Sequence, residues 1–114
     1  MKDDRVYLKH ILRCICRIEE YTDGGKEIFF SSPIVQDATL RNLQTLAEST
    51  QRLSLDLKSR HPKVDWRALA GFRNVLVHDY LGIDIGYVYE SIQEQIPILK
   101  AAVEALLRDI SQNM

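Results

Sequence analysis

Apolar residues recur along this chain at spacings of three and four, and no stretch alternates apolar and polar as a half-buried strand would. The spacing predicts four main helices. The first covers about Asp4 to Tyr21, where Leu8, Ile11, Ile15 and Ile18 form one stripe. Asp23-Gly24-Gly25 ends it, because glycine takes the left-handed turn at a helix end at little cost. A short aromatic piece follows, Ile28-Phe29-Phe30. The second helix opens at Ser32-Pro33, where serine caps the free amides and proline fits the first turn. Val35, Thr39, Leu43, Leu46, Thr50, Leu53 and Leu57 then share a narrow arc, so a single helix of about 25 residues is expected. Lys58-Ser59-Arg60-His61-Pro62 ends it, since the residue before a proline avoids helix. The opposite arc holds Asp37, Arg41, Gln44, Glu48 and Arg52, with Asp37–Arg41 and Glu48–Arg52 as opposite-charge pairs four apart.

Asp65 caps the third helix, which begins Trp66-Arg67-Ala68-Leu69 and should fail near Asp79–Gly82. Asp84 caps the fourth, where Val88, Ile92, Ile96, Leu99, Val103, Leu106 and Ile110 repeat at helical spacing. Pro97 falls inside that pattern and is expected to kink it. With 114 residues the chain makes one domain, 1–114, and the pattern is all-α: an up-and-down bundle with short connections. No apolar run approaches the roughly 20 residues that span a bilayer. Met1-Lys2-Asp3-Asp4-Arg5 enters charged helical sequence directly, so no secretory leader and a cytoplasmic location are expected. Cys14 and Cys16 read as two reduced thiols, and no Cys/His set has zinc spacing.

Charge changes the picture locally. Lys and Arg number 15 against 16 Asp and Glu, which excludes a protein that holds nucleic acid by bulk charge alone. Residues 52–73, however, carry six basic side chains (Arg52, Lys58, Arg60, Lys63, Arg67, Arg73) and two acidic ones (Asp56, Asp65). That excess is either a solvated surface or a phosphate-attracting patch.

The stretch Trp66 to Tyr80 carries the candidate chemistry. As a helix it turns Trp66, Leu69, Phe72 and Leu76 to the core. Arg67, Gly71, Asn74 and His78 form a second, small and polar stripe. Glycine costs roughly 1 kcal/mol against alanine inside a helix, so Gly71 suggests that another backbone or a ligand comes close. Arg73 and His78 lie five residues apart, which on a straight helix points them about 140° apart. Either the helix unwinds before His78, or the working site combines two copies about a two-fold axis.

Arg73-Asn74-Val75-Leu76-Val77-His78 resembles the R-x(4)-H signature of HEPN-domain ribonucleases, including the asparagine after the arginine. Tyr80 extends it to R-x(4)-H-x-Y, as in the HepT toxins of HepT/MntA toxin–antitoxin pairs. Ala38-Thr39-Leu40-Arg41-Asn42-Leu43 before Ala47-Glu48-Ser49, the Pro62-to-Trp66 step and Ile96-Pro97-x-Leu99 are similar to HepT as well. Ser49 departs from the small alanine of many relatives. The resemblance implies a HEPN-type bundle of four main helices plus a short extra helix. It also implies a homodimeric endoribonuclease that needs no metal or cofactor. Arg73 and His78 would be catalytic, with Asn74 in support. Histidine can move a proton near neutral pH, and arginine can hold a phosphate through two donors. Lys58, Arg60, Lys63 and Arg67 would contact RNA. An MntA-like nucleotidyltransferase antitoxin would transfer AMP to Tyr80.

Other readings compete. Arg73 could pair with an acid such as Asp37 or Glu48. Arg41 reads as structural or substrate-orienting. Tyr87 and Tyr89 read as ordinary half-buried core tyrosines, and His10 and His61 as surface residues. The alternative function is a non-catalytic HEPN accessory subunit that binds a nucleotidyltransferase, although such modules tend to lose the arginine–histidine pair retained here. A third option is a small dimeric helical adaptor.

Overall fold

The computed structural model describes residues 3–112; Met1 and Lys2, with which the N-terminal reading begins, lie outside them. The described residues form helices α1 (Asp3–Thr22), α2 (Gly25–Ser31), α3 (Pro33–Gln51), α4 (Leu55–Ser59), α5 (Trp66–His78) and α6 (Ile85–Gln112), with a 3-10 turn at Tyr80–Gly82. None of these helices is long and apolar enough to cross a membrane. The four main helices stand where the apolar spacing puts them. α1 lies at the centre and packs on α3 and α6, while α5 packs on the outer side of α3. The expected stripe Leu8, Ile11, Ile15 and Ile18 is fully buried. It meets Leu43 and Leu46 of α3 and Val88, Ile92, Ile96, Leu99, Val103 and Leu106 of α6 in one continuous core. α6 runs unbroken through Pro97 and, with 28 residues at about 1.5 Å each, sets the 46 Å long axis.

The helix ends follow the capping residues. Gly25 takes φ +86 at the junction of α1 and α2, a conformation costly for any residue with a side chain. Ser32 Oγ accepts from the Val35 amide, Asp65 Oδ1 from Ala68 and Asp84 Oδ1 from Tyr87. The aromatic piece Ile28-Phe29-Phe30 is itself helical, in α2. Phe29 is fully buried and packs against Tyr89 at 5.1 Å between ring centroids.

Two sequence expectations are corrected here. The long second helix is two helices, α3 and α4, broken at Arg52–Ser54. Asp4 of α1 reaches across to the break. Its carboxylate, only 6% exposed, accepts from the Ser54 amide at 2.9 Å and from the Ser54 hydroxyl at 2.8 Å. Ser54 is held in extended geometry, where its hydroxyl then caps α4. Leu53 and Leu57 stay buried across the break, so the apolar arc persists although the helix does not. Burial works to raise the Asp4 pKa, but the hydrogen bonds from Ser54 are among the interactions that outweigh it, and the carboxyl ends below its ordinary value. Second, neither expected pair four apart forms an ion pair on α3. Asp37 and Glu48 instead engage α5 and the turn that follows it, at Tyr80 and Arg73.

The minor assignments also shift. His10 and His61 are half-buried rather than at the surface. His10 Nδ1 lies 2.8 Å from the hydroxyl of buried Ser49, which gives the serine at this position a partner that alanine could not offer. Tyr89 is half-buried as expected, but Tyr87 is 65% exposed, over the mouth of a groove between α5 and α6. Cys14 is buried and Cys16 exposed, and both are free thiols.

Candidate active site

α5 carries the candidate motif. Its N-terminus is built by Trp66, whose indole N–H donates to the carbonyls of Lys58 at 3.1 Å and His61 at 3.2 Å. Its C-terminus is His78, the last helical residue, after which the Asp79 amide closes back on the Val75 carbonyl at 2.9 Å. The helix therefore does not unwind before His78. Arg73 and His78 point apart, as the 140° separation requires. Arg73 turns towards α3. His78 faces solvent and has no hydrogen bond or ion pair among the described residues.

The guanidinium of Arg73 sits 3.5 Å from Glu48 Oε2, with 31% and 43% of the two side chains exposed. It also donates to Asn74 Oδ1 at 3.2 Å. Asn74 thus reaches Arg73, not His78. An ion pair this exposed is worth about 0–1 kcal/mol, so an incoming phosphate can compete for Arg73. The pairing with Glu48 is the one foreseen as a structural alternative, and it holds the guanidinium loosely.

Tyr80 stands in the 3-10 turn, 45% exposed, and its hydroxyl donates to Asp37 Oδ1 at 3.0 Å. Burial, this hydrogen bond and the negative charge of Asp37 all raise the phenol pKa above its ordinary value. The sequence offers Asp37 as a partner for Arg41 or Arg73, not for Tyr80. The signal was available: Asp37 and Glu48 are 11 residues apart, about 1,100° of helix, so they share one face of α3 to within about 20°. That face meets Tyr80 at one end and Arg73 at the other.

The stripe Arg67, Gly71, Asn74 and His78 is exposed throughout. A methyl group on Gly71 would meet nothing within 4 Å, so no backbone of this chain explains the glycine. Beside the stripe, Phe72 and Leu69 of α5 and Ile92, Ile96 and Leu99 of α6 line an apolar groove of about 330 Å³. Lys58, Arg60 and Lys63 are not brought to this site. They lie in α4 and the loop at the Trp66 end of α5, about 18 Å along the helix from His78. Arg67 stands at that same end, and Arg60 pairs with Asp56 at 2.8 Å. Among the described residues no three His, Cys, Asp or Glu side chains come together in a way that could hold a metal ion.

Comparison with known proteins adds an independent line. Residues 11–106 match the ribonuclease HepT-like family. The chain is 34% identical, over 95% of its length, to a candidate RNase of Caldanaerobacter subterraneus subsp. tengcongensis and covers 97% of it. It is 35% identical, over 88% of its length, to the "Probable ribonuclease HepT" of Thermococcus cleftensis and covers 92% of that protein. It is also 33% identical, over 98% of its length, to a protein of Methanocaldococcus jannaschii named as a gamma-glutamylcyclotransferase and candidate RNase. The chain spans about half of that relative, 51% of its length. No solved structure matches the chain.

Proposed function

The chain belongs to the ribonuclease HepT-like family, and we propose that it is a homodimeric endoribonuclease that cuts RNA through Arg73 and His78. The observation that carries this reading is the intact R-x(4)-H motif on α5, with the His78 side chain free at the helix end and Arg73 held by a half-exposed acid and by Asn74. Two copies meeting on the Arg67/Gly71/Asn74/His78 face bring two histidines and two arginines into one cleft. One imidazole takes the proton of the ribose 2′-hydroxyl. The 2′-oxygen attacks the neighbouring phosphorus, and the bond to the 5′-oxygen breaks. The second imidazole, as imidazolium, returns a proton to that leaving oxygen. Arg73 leaves Glu48 for the phosphate and holds the extra negative charge of the transition state. Asn74 keeps Arg73 in line. Lys58, Arg60, Lys63 and Arg67 contact phosphates further along the RNA. The products carry a cyclic phosphate and a free 5′-hydroxyl, and no metal takes part.

In the same reading the protein is the toxin of a toxin–antitoxin pair, and a partner nucleotidyltransferase silences it by adding AMP from ATP to Tyr80. The Tyr80 oxygen attacks the α-phosphorus, pyrophosphate leaves, and Asp37, 3.0 Å away, is within reach of the phenol proton. The modified tyrosine sets a phosphodiester charge and a purine at the end of α5, as a tethered occupant with an effective concentration of roughly millimolar. The nuclease reading is tested with labelled single-stranded RNA in EDTA. Arg73→Ala and His78→Ala should each lose about 10²–10⁴ in rate while keeping wild-type circular dichroism. Cleavage that requires added magnesium, or that survives in His78→Ala, would overturn it.

A further inference from the structure

We infer that Arg41 is a second phosphate-binding residue of this ribonuclease site, gripping the RNA beside the phosphate that Arg73 takes; the inference rests on the ribonuclease reading. Arg41 lies on the one face of α3 that also carries Asp37 and Glu48, four residues after the first and seven before the second. Asp37 holds the hydroxyl of Tyr80, and Glu48 holds Arg73. These two contacts bracket the register: α3 runs antiparallel to α5 and the turn after it, with residue 37 opposite residue 80 and residue 48 opposite residue 73. Counting about 1.5 Å per residue from either contact sets Arg41 level with residues 76 to 80, the stretch that contains His78. The root of the side chain is rigid, because Leu40 and Leu43 beside it are both about 5% exposed.

Arg41 itself is exposed, and its side chain makes no hydrogen bond or ion pair among the described residues. Only its carbonyl is engaged, by the Thr45 hydroxyl at 2.9 Å. A within-helix pair with Asp37 is weak on an exposed face, so leaving it unmade costs little. What results is a guanidinium with all five donors open, about one to two helical turns along from a second arginine whose partner is weakly held. Successive phosphates of a single strand crossing the seam between α3 and α5 would meet Arg41 and Arg73 in turn. The loop cations at the Trp66 end, by contrast, stand about 18 Å from His78. Arg41 is thus the exposed cation of α3 nearest the level of the proton-transferring residue.

The experiment uses the full chain and a 2′-O-methylated single-stranded RNA of mixed sequence, which lacks the attacking hydroxyl. Binding is read by fluorescence anisotropy across a salt series, and cleavage of the matching unmodified RNA is followed in parallel. Arg41→Ala should weaken binding roughly tenfold and lower the log–log salt slope by about 0.7, the value for one phosphate contact on a single strand. Arg41→Gln, which keeps the stem, should lose the same slope, whereas Arg41→Lys should retain it. In cleavage, KM should rise while kcat holds. Arg108→Ala, about 34 Å away along α6 from Ile85, makes the same change in net charge and should move none of these. Wild-type slope and affinity in Arg41→Ala, losses equal to those of Arg108→Ala, or a fall in kcat at constant KM would overturn the assignment. If the slope falls in Arg41→Ala but the wild type cuts no RNA, the nuclease reading fails while the phosphate contact stands.

Discussion

Gly71→Ala separates a monomeric from a dimeric working form, because the two make opposite demands on one methyl group. Within a single chain the added Cβ meets nothing within 4 Å. Replacing a mid-helix glycine with alanine then removes its excess unfolded-state entropy and should stabilise the fold by about 0.5–1 kcal/mol. For a domain of this size that raises Tm by roughly 2–6 °C. If a second copy seats its α5 against the first, the methyl intrudes into a close backbone approach. Overpacking of that kind costs about 1–3 kcal/mol, a loss of about 5- to 150-fold in dimer affinity. Sedimentation over a dilution series, with thermal melting and RNA cleavage at each concentration, reads both effects. The expected variant melts higher as a monomer, dissociates at higher concentration than wild type, and loses activity on dilution but recovers it when concentrated. A variant with raised Tm, unchanged dissociation and unchanged activity would refute an interface at Gly71.

Four further outcomes are expected. Tyr80→Phe should remain an active nuclease that gains no AMP mass in the presence of the partner and ATP. The phenol hydrogen bond of Tyr80 supports the fold below the unfolded-state pKa of about 10 and is lost as pH rises through the raised folded value, so Asp37→Asn should bring its ultraviolet phenolate titration down. Asp4 titrates the other way: its lowered folded pKa adds stability above the unfolded value of about 3.9, which disappears as pH falls through the folded one, and Asp4→Asn should cost about 1–3 kcal/mol at neutral pH and flatten urea-unfolding stability against pH below 4. Neutralising Lys58, Arg60 and Lys63 together should lower the salt slope of RNA binding by up to about one unit per lost contact, and an unchanged slope would confine the RNA path to the His78 end.

Apolar periodicity and capping residues carried most of the architecture, because both act within a few residues of sequence. Ser32, Asp65 and Asp84 cap as their positions require. The break between α3 and α4 was hidden because a contact that holds it comes from 50 residues away, in Asp4. The apolar arc continues through Ser54, and its extended form is held by the tertiary carboxylate together with its own cap on α4. The divergence of Arg73 and His78 on α5 was legible from their spacing. The contact of Asp37 with Tyr80 was not, since a carboxylate on a charged helix face looks solvated until the chain beyond α5 folds back and offers it the phenol.

Trp66 gives the molecule an optical label of its own. It is the single tryptophan of the chain, half-buried, with its indole N–H shared between the carbonyls of Lys58 in α4 and His61 in the loop that follows. Its emission therefore follows the wetting and geometry of that loop, about 18 Å from His78 along α5. An RNA that engages only the Arg41–Arg73–His78 end should leave the indole spectrum unmoved. One that continues to Lys58 should shift it, so the extent of the bound strand can be read from the unlabelled protein.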